Sequence, residues 1–158
     1  MYTEFTSYGI SDEIAAYAFS IFGITTMLGS VVSGFLCSRF PMERVLGCVY
    51  GSRTIWIIGF MLLPKTVASV YGYAAILGFS GSASVPPTSG LINKLFGPVR
   101  LGSLFGLVFV AHQIGSFFSS WLGGLSASAN GSYTLIWCAS AIFSLAASTV
   151  CFLIKTKE

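Results

Sequence analysis

Charge is what this sequence has least of. Only 8% of its 158 residues are Asp, Glu, Lys or Arg, against roughly 25% in a soluble globular chain, and that excludes an ordinary soluble domain. Eight basic and five acidic residues leave a net charge of +3, too thinly spread for a nucleic-acid footprint, so no nucleic-acid partner is expected. There is a single histidine. With no second one, no paired carboxylates inside an apolar run and no glycine-rich phosphate loop, no catalytic constellation can be assembled, and no enzyme is expected. Four cysteines, Cys37, Cys48, Cys138 and Cys151, fall within or at the ends of apolar stretches without metal-ligand spacing or a loop pairing that suits a disulfide. They read as small packing residues, and neither a metal nor a cofactor is expected.

What the chain has in abundance is apolar length. Mean hydropathy is +0.83, and five stretches account for it: 14–38, 45–64, 66–93, 101–122 and 133–154. A membrane's hydrocarbon layer of about 30 Å takes roughly 20 helical residues to cross, so each stretch can span it. The small, polar run GGLSASANGS, from Gly123 to Ser132, divides the last two. The reading is an all-α membrane protein, one domain over 1–158 with five transmembrane helices and the lipid bilayer as its first partner.

The few charges set an orientation. Arg39 and Arg44 lie between the first and second spans, Lys94 and Arg100 between the third and fourth, and Lys155 and Lys157 after the fifth, while the opposite side holds only Lys65. The positive-inside rule then puts the N-terminus outside and the C-terminus in the cytoplasm. Tyr8, Tyr17, Tyr71, Tyr73, Trp121, Tyr133 and Trp137 fall near the outer boundary, Phe40 and Phe96 near the inner one, and all read as interfacial anchors. Residues 1–13 contain no basic n-region, and the first apolar run is too long for a signal peptide. Two readings stand: further sequence precedes these residues, or a short tail bearing Glu4, Asp12 and Glu13 is translocated by itself. Asn130-Gly131-Ser132 matches a glycosylation acceptor, a tripeptide common by chance and here in a short loop.

The first basic loop carries a motif. In GSVVSGFLCSRFPMERVL, from Gly29 to Leu46, the chain leaves one span through a glycine, turns through a tight basic loop and enters the next. Gly34, Leu36, Arg39 and Arg44 resemble the G-x-L-x-D-R-x-G-R-R loop that joins the eighth and ninth helices of major facilitator superfamily transporters. Ser38 stands where that loop carries an acid and Pro41 where it carries a glycine, so a charge-based latch is not implied here. VPPTSGLINKLFG (Val85 to Gly97) and GSLFGLVFVAHQIGSFFSSWLGG (Gly102 to Gly124) are similar to the tenth and eleventh helices of bacterial members near the monocarboxylate and oxalate/formate porters. The resemblance covers the whole chain as helices eight to twelve, a partial C-terminal half of a twelve-helix fold. It implies as partners the preceding helices of the same transporter and, once assembled, a small-molecule substrate.

Several residues then stand out. Gly23, Thr26, Ser30, Ser33, Gly34 and Cys37 recur near helical spacing on the first span, with Gly29 beside them. Gly102, Gly106, Gln113, Ser116, Ser120 and Gly123 form a second small-residue stripe on the fourth, next to Gly115. Such faces bring membrane helices close, and the resemblance implies that both would meet the N-terminal half. His112 lies about 11 residues, or roughly 17 Å, into its span, on one face with Gly115, Ser116 and Ser119 and beside Gln113 in sequence. It reads either as a proton-coupling or anion-binding group or as a neutral bridge between two helices. Arg53, about eight residues or roughly 12 Å into the second span, carries an insertion cost of roughly 2.5–3.5 kcal/mol. Substrate contact, snorkelling and structural pairing are its three readings, and the resemblance, which implies a place on the peripheral ninth helix, favours pairing. Pro86 and Pro87 leave carbonyls near Ser82 and Ala83 without helical donors. Ser82, Ser84, Thr88 and Ser89 are the nearest hydroxyls to resatisfy that break, which reads as a kink; the resemblance implies a tenth helix beside a central cavity, where the kink would also serve as a hinge.

The expectation is a piece of a secondary transporter in the cytoplasmic membrane, moving a small, anionic metabolite by proton-driven alternating access and inactive by itself. The alternative is a free-standing five-helix interaction or assembly subunit.

Overall fold

The structure, a computed structural model, describes residues 11–62, 64, 66–131 and 133–154. Every element among them is helical: α1 (Asp12–Cys37), α2 (Met42–Leu62), α3 (Val67–Ser82), α4 (Val85–Phe96), α5 (Pro98–Asn130) and α6 (Thr134–Leu153). α1, α2, α5 and α6 are each long and apolar enough to cross a membrane. The third crossing is divided between α3 and α4. The chain is thus an all-α, multi-pass membrane protein. Lys65, Lys155 and Lys157, the third residue of the Asn130-Gly131-Ser132 tripeptide, and the tail with Glu4 and Tyr8 lie outside the described residues.

Two boundaries differ from the sequence reading. The stretch 66–93 is not one helix: α3 ends at Ser82, and α4 runs from Val85 to Phe96 with proline in its first turn. Thr66 is not part of the span but caps it, since its hydroxyl accepts from the Ser69 amide while the Ser69 hydroxyl accepts from the Thr66 amide at 2.9 Å. In the second case GGLSASANGS does not open a loop at Gly123. α5 continues through it to Asn130 and stops only where Gly131, at φ 62°, turns left-handed and donates its amide to the Ala127 carbonyl at 2.9 Å. Small and polar residues do not by themselves end a helix whose backbone bonds are all internal; the left-handed glycine does.

Two close helix pairs organise the fold. α1 lies against α3 with backbones nearly touching, because a Cβ at Gly29 would overlap the Phe79 carbonyl and one at Gly78 would overlap the Phe22 carbonyl. α2 lies against α6 through side chains set on its glycines. Gly47 accommodates the ring of Phe152, and the buried Ser148 donates its hydroxyl to the Gly47 carbonyl at 2.8 Å. Aromatic rings join the pairs: Phe60 of α2 stacks on Tyr73 of α3 at 3.9 Å, and Trp137 of α6 meets both edge-on at 5.9 and 5.5 Å. Ala15, Ala18, Val70 and Ala74 complete that buried cluster. Tyr73 and Trp137 are therefore packing groups inside the bundle rather than interfacial anchors, whereas Tyr17 and Trp121 are more than half exposed. α5 stands apart from this arrangement. None of its residues from 102 to 122 is buried.

Candidate functional site

The site begins at the break between α3 and α4. Pro86 and Pro87 have no amide to give to the carbonyls of Ser82 and Ala83, four residues earlier. Ala83 and Ser84 keep right-handed helical dihedrals, so those carbonyls stay aimed along the helix and need donors from elsewhere. The donors come from α1. The close approach at Gly29 brings the Ser30 hydroxyl to the Ser82 carbonyl at 3.3 Å and the buried Ser33 hydroxyl to the Ala83 carbonyl at 2.5 Å. This changes two expectations. Local hydroxyls do less than foreseen: Ser84 donates to the Gly81 carbonyl at 3.2 Å, while Thr88 and Ser89 bond to Ser84 and Pro86 further along. The α1 stripe, moreover, does not face one way. Ser30 and Ser33 meet the break and Gly29 meets the Phe79 backbone of α3, whereas a side chain added at Gly23 or Gly34 would meet nothing.

Arg53 completes the clasp from α2. Its Nη2 donates to the carbonyls of Ser80 and Gly81, the latter at 3.3 Å, and the guanidinium lies over the Tyr50 ring at 5.5 Å. Four consecutive carbonyls, from Ser80 to Ala83, thus take side-chain donors from α1, α2 and the break itself. A broken helix at membrane depth is tolerated where protein or a water-filled cavity re-satisfies it, and here side chains of α1 and α2 do so. Arg53 is held this way by carbonyl dipoles and an aromatic face, and no carboxylate pairs with it among the described residues. Its Nε is buried without a hydrogen-bond partner.

Beside this clasp, the separation of α5 from α2 and α6 leaves an open cleft of about 600 Å³. Tyr50, Arg53 and Ile57 wall it from α2, and Trp137, Ser140 and Ser144 from α6. α5 contributes His112, Gly115, Ser116, Ser119 and Ser120, one helical face at the spacing of one and two turns. A smaller cavity of about 250 Å³ opens on the other side of His112, where Tyr50 again takes part with Ser82, Ser84 and Thr88 of the break. His112 and Arg53 therefore share one cleft, and the break adjoins the next. His112 reaches no second helix by a hydrogen bond among the described residues; its neighbour is the Phe109 ring at 6.4 Å on its own helix.

The remaining residues singled out in the sequence lie elsewhere. Gln113 is exposed and lines neither cavity. Gly102 and Gly106 face open space, and a Cβ at Gly115 would enter the cleft without meeting anything. In the basic loop, Arg39 lies over the Phe35 ring at 4.6 Å, and Arg44 is exposed in the first turn of α2. What the sequence reading missed is Tyr50, which lines both cavities and underlies Arg53. Its position one turn before the arginine is the signal that could have found it.

Comparison with known proteins follows the same line. The model of the Major Facilitator Superfamily matches residues 2–158. An MFS-type transporter of Gibberella moniliformis is 26% identical over 79% of this chain and 30% of its own length. The riboflavin transporter RibJ of Trypanosoma brucei brucei is 28% identical over 90% of this chain and 26% of its own, and the rat monocarboxylate transporter 13 is 28% identical over 86% and 32%. The chain thus spans about a quarter to a third of the length of these curated relatives. A multi-pass helical bundle with a hydroxyl-lined cleft and a proline-broken helix, matched by that family's model almost end to end, belongs to the Major Facilitator Superfamily, whose members are membrane transporters and not enzymes.

Proposed function

We propose that this chain supplies helices eight to twelve of a twelve-helix secondary transporter of the cytoplasmic membrane, with the basic loops on the cytoplasmic side, and that the assembled protein moves a small organic anion by proton-coupled alternating access. The observation that carries this reading is the shared cleft. One cation without a carboxylate partner among the described residues, one imidazole and five serines line the same open space beside a broken helix, a combination suited to binding an anion and moving a proton. Alternating access rocks one half of such a fold against the other around a midplane site. α5, uncovered by this chain over most of its length, is the surface that an opposing half would meet, and the share of its relatives that the chain spans fits that role.

The test is to express the 158 residues with and without the seven helices of an upstream reading frame and to measure uptake of radiolabelled monocarboxylates into proteoliposomes. Saturable, pH-gradient-driven uptake only when both parts are present supports the proposal. A stable five-helix product that co-purifies with an unrelated membrane protein, with no uptake in either case, favours an assembly subunit instead.

A further inference from the structure

Pro86 and Pro87 remove two amide donors from the α3/α4 break, those that the carbonyls of Ser82 and Ala83 would take in an unbroken helix. The hydroxyls of Ser30 and Ser33 replace them, one for each carbonyl. That restores what the prolines took away, yet α2 adds a donor of a different kind. Arg53 Nη2 donates to the carbonyls of Ser80 and Gly81, whose helical donors four residues on belong to Ser84 and Val85 and not to a proline. A carbonyl oxygen has two lone pairs, so both can accept from the guanidinium although no amide was lost to them. Arg53 therefore brings charge to the break rather than a missing hydrogen bond.

The place where it brings that charge is electronegative. The last carbonyls of a helix form its negative end, and those from Ser80 to Ala83 are gathered here inside the membrane. The last turn of α3 has no basic residue of its own, and the prolines in the first turn of α4 remove part of the positive N–H end that follows. In broken helices of other membrane transporters, carbonyl ends of this kind coordinate a bound cation. Here a guanidinium stands in that position. It lies over the Tyr50 ring at 5.5 Å, and no carboxylate pairs with it among the described residues.

We propose that Arg53 is a tethered cation: it fills a monovalent-cation site formed by the carbonyls of Ser80 and Gly81, and so makes the broken helix independent of sodium or any other bound ion. Such a role needs neither the open cleft nor a transported anion, only the packing of α1, α2 and α3.

The experiment unfolds the full 158-residue chain with SDS in bicelles, in sodium chloride or in choline chloride at equal concentration, choline being too large for the site. The parent should show the same SDS midpoint in both salts. Arg53→Ala should unfold at lower SDS in choline and regain most of that loss in sodium, because the ion enters the space that the side chain leaves. Arg53→Met, neutral and of similar length, should be destabilised alike in both salts, while Arg53→Lys, which keeps the charge but not the planar fork, should fall between Met and the parent. Equal midpoints for Arg53→Ala in sodium and choline overturn the proposal, as does a sodium-dependent parent or an Arg53→Met as stable as the parent. If Arg53→Ala folds in neither salt, the two longer variants decide: Arg53→Lys more stable than Arg53→Met supports a role for the charge, and Arg53→Lys no better than Arg53→Met overturns it.

Discussion

Single hydroxyls hold the broken helix, and they do not hold it equally. Ser33 is buried and its bond to the Ala83 carbonyl is 2.5 Å, while Ser30 is half-buried and its bond is 3.3 Å. Removing one hydroxyl between membrane helices costs about 0.6–2 kcal/mol. Ser33→Ala should therefore fall near the upper end and Ser30→Ala near the lower, measured as unfolding free energy against SDS in bicelles. His112 gives a second prediction. Because it makes no hydrogen bond to a second helix among the described residues, His112→Gln should leave the abundance of the assembled transporter unchanged and strip its uptake of pH-gradient dependence. A fall in abundance with coupling retained would assign His112 to packing. Arg53 stood out in the sequence but its partners did not, for a physical reason: they are backbone carbonyls, which every residue has, so no side chain elsewhere announces the pairing.

At the scale of elements, two glycines of α1, one in a close contact and one facing open space, make a sharp comparison. Gly29→Leu should separate α1 from α3, since even a Cβ there meets the Phe79 backbone, and forcing such overlap costs about 1–3 kcal/mol or more. Gly23→Leu, one face away, meets nothing and should leave the chain as stable as before, by thermal unfolding followed through circular dichroism. If Gly23 belongs to the surface an opposing half covers, the same change should block rescue by upstream helices. Hydropathy made four crossings legible, and two adjacent prolines made the interruption of the other one legible. The continuation of α5 to Asn130 was not, because a glycine- and serine-rich run has the same composition in a loop and in a helix end. Only the conformation at Gly131 separates the two.

For the whole molecule, an uncovered α5 and a ring of exposed large apolar side chains predict that these residues alone give no saturable monocarboxylate uptake in liposomes. The chain should be short-lived in cells and should recover when its preceding helices are supplied. Orientation is tested separately, by cysteines placed at Ser38 and Ser103: both should resist an impermeant maleimide in intact cells and react after permeabilisation. The family and the number of crossings could be read from the chain because apolar length and basic-loop spacing are local properties. The cleft could not, since it depends on how far α5 stands from α2 and α6.

The donors that quiet the α3/α4 break have a fixed place in the order of synthesis. Ser30 and Ser33 precede the carbonyls they serve by 52 and 50 residues, and Arg53 precedes its own by 27 and 28. A ribosome therefore delivers every long-range donor into the bilayer before the proline-broken segment emerges, and the awkward helix always finds its neighbours waiting. A 66–158 piece expressed ahead of a separate 1–65 piece would reverse that schedule with the same residues. It should insert poorly, with the 66–96 segment reaching the membrane before anything can receive its carbonyls.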